Sequence, residues 1–390
     1  MDWGLVLVRQ HASLRSDSDR LAAEQVIGLR AEWVSRVSGI RTQGDLGLAT
    51  SAREGKVIFA VTVDTEADNQ WDQGAPLTTE NVQYWQPFQS VCDEHGVTPT
   101  YLVTSEMAAD PSAQSLLARW VASGRAEVGA HLHPWTTPPF IDEPGFRYND
   151  PAHSFLSELP TELVHQKLET LTAEIERDLG IRPTSFRAGR FGFDARCAVA
   201  LSELGYIVDS SVTPLTEWSA HQGLPHRDGG PDFTSHVAMP FLIDGTPQPG
   251  LLELPVTIVT TYALLRRFPL LYRLYRSFPI RPARNRVLKR WLRPQPIWLS
   301  PTPAFSISDL AAAWDECQRM GGGVAVMMLH SSELMPNRSP YRCTESSVGE
   351  MLAELDAFFR YARGSGARAA TLTSAARELT SSRPLEARAL

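Results

Sequence analysis

Two histidines one residue apart, His131 and His133, stand in the run RAEVGAHLHPWTTPP from Arg125 to Pro139. The residues before them, Ala126 to Ala130, read as a short buried strand closed by Gly129. On extended backbone an i, i+2 spacing sends both imidazoles to the same side. Pro134 stiffens the exit. Neutral imidazole is a common ligand for zinc, and three protein ligands plus one open position make such a site catalytic. Complementary groups stand at the ends of other expected strands: Asp64 closes VIFAVTVD, with Glu66 two residues on, and Arg187 lies in SFRAGRFG. Asp209 follows in VDSS, and His330 closes VAVMMLH. Such a set suits metal-assisted hydrolysis. Two histidines and one carboxylate hold a divalent ion, which lowers the pKa of its bound water to about 7. A second carboxylate takes the proton as general base, and a separate histidine protonates the leaving nitrogen. The ion and a backbone N–H hold the oxyanion.

The elements that must position these groups alternate from Lys56 onward. Val57 to Asp64 is a β-branched run of the kind buried in parallel sheets. Glu80 to His95 predicts a helix, followed by Gly96 and the strand TPTYLV. Asp110 and Pro111, as N-cap and first helical residue, open a helix through Ser123, and Gly124 ends it before the strand EVGA. After a long loop, Pro160 to Leu179 predicts a helix stopped by Gly180. TSFRA, YIVDSS and LLELPVTIV are expected strands, with a helix from Asp194 to Leu204 between the first two. Ser308 to Met320 is a further helix, capped by Ser306 or Ser308. VAVMMLH, a helix from Ser347 to Tyr361, and a final strand ARAATLT complete the chain. This alternation predicts an α/β fold, a distorted (β/α) barrel of about seven strands. The competing doubly wound sheet lacks a G-x-G-x-x-G after its first strand. In barrels the chemistry sits at the C-terminal ends of the strands, where these residues fall. The expected organisation is an N-terminal extension over 1–54, read as loosely ordered, a barrel over 55–380 with a basic insertion at 260–300, and a tail over 381–390.

The 390 residues carry 37 basic and 44 acidic side chains, a net charge of −7, which speaks against general nucleic-acid binding. The cysteines Cys92, Cys197, Cys317 and Cys343 form no C-x-x-C pair and suggest neither a zinc knuckle nor a disulfide frame. No secretory signal is recognised at the N-terminus, and no apolar run approaches the roughly 18 residues of a membrane span. The cytoplasm is therefore the expected compartment. From Tyr262 to Arg293 the chain holds ten Arg or Lys and no acid, leaving −17 for the remainder. On a helical wheel Leu265, Phe268, Leu271, Tyr272 and Tyr275 share one side, with Arg266 and Arg273 opposite and Arg267 and Arg276 flanking. Three readings fit: a hairpin packed on the barrel, a segment lying on a membrane surface, or a clamp for an anionic glycan or lipid-linked pyrophosphate.

In the order of its motifs, roughly Lys56 to Leu379, the chain resembles the NodB-homology polysaccharide deacetylases of carbohydrate esterase family 4. The resemblance implies a metal-dependent enzyme, most often with zinc, that removes N-acetyl groups from sugars on a distorted barrel. TVDTE matches the family's first motif, with Asp64 as base and Glu66 as metal ligand; a glutamate replaces the usual aspartate, and Asp68 is a rival ligand. EVGAHLHPW matches the lead-in to the second motif. His131 is then a ligand, Trp135 occupies the place of the usual second histidine, and His133 must take over. Arg187 matches the arginine that orients the base, with the Gly189 to Gly192 turn supplying an oxyanion N–H. Asp209 matches the fourth motif and steers its neighbours. VMMLHSSELMP matches the fifth, with His330 as general acid and Leu329 lining the acetyl pocket. Glu333 either orients His330 or faces water. Trp135, Arg190, Phe191 and Leu329 are the expected substrate contacts, with Arg190 placed to meet a carboxylate or phosphate. A polysaccharide or lipid-linked sugar precursor is the implied substrate. The alternatives are a glycan-binding barrel without catalysis and a hydrolase of a non-sugar C–N bond.

Overall fold

A computed structural model of the chain describes residues 57–390 except 69, 71–75, 141, 144–145, 148–153, 222, 225–227, 261–295, 322 and 383. The expected N-terminal extension and the basic stretch Tyr262 to Arg293 lie outside the described residues. Everything from β1 onward belongs to one compact unit, Lys56–Leu390.

The sheet begins with β1 (Ile58–Thr65), whose eight residues are all buried. Its order is β10–β1–β2–β3–β4–β5–β7–β6–β12. Here β2 is Thr100–Val103, β3 Glu127–Leu132, β4 Ser185–Ala188, β5 Val208–Asp209 and β6 Phe241–Ile243. β7 is Leu252–Glu253, β10 Val324–His330 and β12 Ala387–Arg388. All neighbours are parallel except β6 and β7. The sheet curls toward closure through the stretch after β7. Leu254 and Val256 donate to the carbonyls of Asp209 and Val212, and Thr257 donates to that of Val326 in β10 at 3.0 Å. The result is the distorted barrel expected from the alternation.

Alternation along the strands sorts inside from outside. On β1, Phe59 faces outward, in edge-on contact with Trp314, Phe358 and Phe359. These rings belong to α6 (Ile307–Met320) and α7 (Glu345–Gly364). Burying a ring of this size contributes about 1.5–3 kcal/mol. Ile58 and Ala60 face inward with Leu102, Val208, Leu252, Val324 and Val326, packed on Leu372, Ala375, Ala376 and Leu379. The same inward row continues through Thr62 to Asp64, so β1 runs from an apolar plug to a charged rim.

Several boundaries differ from expectation for identifiable reasons. ARAATLT forms only β11 (Arg368–Ala369), and α8 (Leu372–Ser382) begins within it. Leu372, Ala375, Ala376 and Leu379 recur at helical spacing, and burying that stripe inside the barrel outweighs the local β-propensity. LLELPVTIV splits into β7 and β8 (Ile258–Val259), which pairs with β9 (Ile297–Trp298). Pro255 between them has no N–H to give a ladder. YIVDSS shortens to β5, because its two serines are used as side-chain partners. β12, in the expected tail, pairs with β6. Asp110 accepts from the N–H groups of Ser112 and Ala113 at 2.8 and 2.9 Å, the expected cap of α3 (Pro111–Ala122). Of the two candidate caps for α6, Ser306 is the one used, in a box with Asp309.

Candidate active site

Three side chains converge at the rim. Glu66 lies one residue past β1, His131 in β3, and His133 one residue past its end. The Nε2 atoms of His131 and His133 are 3.0 Å apart. The Oε2 of Glu66 lies 3.3 Å from His133 Nε2 and 4.0 Å from His131 Nε2. One ligand atom from each falls within 4.8 Å of the others, the one such group of three among the described residues. The His131 tautomer follows from its neighbour: Nδ1 is 2.9 Å from the Arg187 carbonyl oxygen, which can only accept. Nε2 therefore offers its lone pair to the cluster. Burial lowers both histidines to about 4, so both are neutral at pH 7, as ligands must be. Burial also lifts Glu66, to about 7, helped by the charges of Asp64 and Glu333 and opposed by His330 and His131. Two neutral imidazole nitrogens and a carboxylate crowded into one buried spot match the donor set of a three-ligand divalent-cation centre. The residues fit such an ion.

Asp68, the rival ligand, is otherwise engaged. Its two oxygens accept from Thr78 Oγ1 at 2.7 Å, Glu80 N at 2.9 Å, and Asn81 N and Nδ2 at 3.1 and 2.7 Å. It fastens the 3₁₀ turn Glu80–Tyr84, so of the two acids only Glu66 joins the histidines. Ser331, just past the end of the neighbouring strand β10, fixes the Glu66 backbone, exchanging bonds with its N–H and carbonyl, each at 3.1 Å.

Asp64 and Arg187 form a buried ion pair, Nη1 to Oδ1 at 2.6 Å. Arg187 is wholly enclosed and spends its remaining donors on Thr62 Oγ1, Ser210 O and Ser210 Oγ, at 2.8 to 2.9 Å. Burial alone would raise the Asp64 pKa, but Arg187, then His131 and His330, outweigh it and hold the carboxylate below its usual range. The charge stays on Asp64 at neutral pH. Asp209 touches none of the three converging ligands; it accepts from Ser211 N and Oγ at 2.9 and 2.7 Å. It faces Glu253 in register, and burial raises both carboxyls, Glu253 furthest because the Asp209 charge adds to it. The pair orders the Ser210–Ser211 segment that grips Arg187.

His330 stands directly across from Asp64 in the β10–β1 register. Glu333, fully buried, accepts from its Nδ1 and its backbone N–H, both at 3.0 Å. That decides the open question about Glu333, which orients His330. Burial works against the imidazolium, but Glu66, Glu333 and Asp64 outweigh it and lift His330 to about 9.

No family model and no curated protein matches the chain. Solved structures do. The chain is similar to a protein from Mycobacterium smegmatis assigned to the polysaccharide deacetylases, at 15% identity and TM-score 0.48, covering 89% of this chain and 98% of that one. It is also similar to a family 4 carbohydrate esterase from Streptomyces lividans solved with acetate, at 10% identity and TM-score 0.39, covering 81% and 93%. A family 4 acetyl xylan esterase from Clostridium thermocellum solved with a cobalt ion matches at 13% identity and TM-score 0.37, covering 82% and 89%. The reaction must be read from the residues themselves.

The expected substrate contacts are placed unevenly. Trp135 stacks on the His133 ring at 4.3 Å and donates to Gln70 Oε1 at 3.0 Å. Phe191 stacks on Trp218 at 5.5 Å and lies 6.0 Å from Trp298, giving the rim an aromatic wall. Arg190 and Phe191 both hold left-handed backbone, φ 53° and 58°, in the tight turn after β4. The Arg190 guanidinium lies 3.9 Å over the Phe155 ring, and burial lowers its pKa to about 10. Leu329 is fully buried and pairs with Val63 in register. Gly189 leaves room for the His133 ring, which a Cβ there would strike.

One positioning group escaped the sequence reading. Lys167, on α4 (Thr161–Leu179), is fully buried and donates to the carbonyls of Pro134 and Pro139 at 2.9 and 3.0 Å and to that of Thr137. It pins the loop that leaves His133, and burial lowers its pKa to about 8. Its only trace in the sequence is a lysine on the apolar side of an amphipathic helix, between Val164 and Leu168.

Proposed function

We propose that this chain hydrolyses an N-acetyl group on a carbohydrate, with a divalent cation, most readily Zn²⁺, held by Glu66, His131 and His133. The observation that carries the reading is the convergence of two imidazole nitrogens and a carboxylate beside an Arg187-held aspartate, with a cationic histidine across from it. When bound, such a cation supplies Lewis acidity and lowers the pKa of water to about 7. Asp64 is the base. Arg187 holds its Oδ1, keeping it ionised and leaving Oδ2 for the proton of the attacking water. His330 is the acid: Glu333 engages Nδ1, so the Nε2 proton is the one given to the leaving nitrogen. Asp209 acts at one remove, through the Ser210–Ser211 segment. The motif resemblance and the aromatic faces of Trp135 and Phe191 favour a sugar substrate, a polysaccharide or lipid-linked precursor. Among the described residues no helix is long and apolar enough to cross a membrane. Contact with an anionic lipid surface through the basic stretch 262–293 is proposed from its sequence alone.

The test is acetate release from N-acetylated oligosaccharides by metal-stripped and Zn²⁺-reloaded protein, with simple amides as a parallel series. Cation-dependent release from the sugars supports the proposal. Turnover confined to the amides transfers it to a non-sugar C–N bond. Sugar binding with neither turnover nor cation uptake leaves a glycan-binding barrel.

A further inference from the structure

Two buried polar groups beside the candidate cation centre have no hydrogen-bond partner among the described residues. One is Nδ1 of His133; the other is the carboxylate of Glu106, both of whose oxygens are enclosed. Glu106 lies on α2 (Ser105–Ala108), the short turn after β2, and β2 is the sheet neighbour of β3. α2 is fastened to the loop that leaves His133. Ser105 Oγ donates to Thr137 Oγ1 at 3.3 Å, and the N–H groups of Thr136 and Thr137 return to the His133 carbonyl at 3.2 and 3.0 Å. Of the charges that act on His133, that of Glu106 is the strongest, ahead of Asp64. A buried carboxylate without a donor is destabilising, as is a buried ring N–H without an acceptor.

The chemistry of the imidazoles says how the two groups complete one another. When both Nε2 lone pairs serve one cation, each ring carries its proton on Nδ1. Histidines that ligate metals nearly always deliver that second N–H to a carboxylate, a carbonyl or a water. His131 has the Arg187 carbonyl for this purpose. Among the described residues, the buried acceptors left without a partner at this loop are Thr136 Oγ1 and the carboxylate of Glu106, and only the carboxylate carries the charge that suits a metal-bound imidazole. We propose that Glu106 accepts the Nδ1–H of His133 and is the positioning residue that sets the tautomer and ring orientation of the second histidine ligand. The inference rests on the cation-centre reading above.

Zn²⁺ affinity of the full chain, measured by competition with a chromophoric chelator, tests it alongside the thermal midpoint of the metal-free protein. Glu106→Ala should lower the affinity about 10- to 100-fold. Glu106→Gln keeps an acceptor oxygen and should lower it less. Neither variant should lose thermal stability without metal, because each removes a buried charge that lacks a donor. A Co²⁺-loaded spectrum should shift in both. Wild-type Zn²⁺ affinity in both variants overturns the role of Glu106. A metal-free midpoint that falls in step with the affinity also overturns it, making Glu106 a support of the fold. If the wild-type chain itself takes up no Zn²⁺, the cation centre fails, and the role of Glu106 fails with it.

Discussion

The wall of the rim that carries Arg187 and the wall that carries His133 meet at the same cluster, yet their polar groups are satisfied in opposite ways. On the first, Arg187 reaches Asp64, Thr62 and both the carbonyl and hydroxyl of Ser210, and Ser210 passes a bond on to the Leu254 carbonyl. On the second, Lys167 holds three carbonyls of the loop, but the ring it steadies keeps an unanswered Nδ1 beside an unanswered carboxylate. On the first wall the Arg187 guanidinium and the groups it touches are matched as folded, which suits a base that must stay ionised and still. The second becomes complete only when both Nε2 atoms are engaged, which suits a ligand set.

The sharpest way to break the contrast is Arg187→Leu. It leaves Asp64 buried without its cation, so unfolding by denaturant should show a loss of about 3–5 kcal/mol. A loss well under 1 kcal/mol would mean that the first wall is not held together by this pair. Asp64→Asn keeps an acceptor for Arg187 and removes the base. Turnover should fall by about 10²- to 10⁴-fold with Zn²⁺ content unchanged; loss of the ion instead would place Asp64 among the ligands.

Lys167→Met probes the second wall. It strips two buried carbonyls and one half-buried carbonyl of their donor and should cost about 1–3 kcal/mol. A chelator titration should also show weaker Zn²⁺ binding, since the His133 loop is freed. Unchanged affinity would separate that loop from the ligand set. The smallest effect is on the shape of the pH profile. Glu66 gains a proton as pH falls through about 7, ahead of the histidine ligands near 4, and His330 loses its own as pH rises through about 9, so activity should lie between about 7 and 9. His330→Gln should remove the alkaline limb, and a limb that persists in that variant would assign it to another group.

Much of this was legible in the chain. The two-residue period of extended backbone puts Ile58, Ala60, Thr62 and Asp64 on one face, and it puts His131 with His133. While the choice of Ser306 over Ser308 waited for the structure, the cap at Asp110 followed from local chemistry, as did the glycine stop at Gly180. These depend on neighbours within a few residues, and a sequence states its neighbours. The choice of Glu66 over Asp68 was not available there, because it turns on whether Thr78, Glu80 and Asn81 fold back to occupy one of two similar acids. Nor were the roles of Glu106, Lys167 and Glu253, polar residues whose meaning lies in partners 27, 30 and 44 positions away. The helix at Leu372 was likewise decided by the barrel it fills, since burial of its apolar stripe has no value until the strands around it have closed.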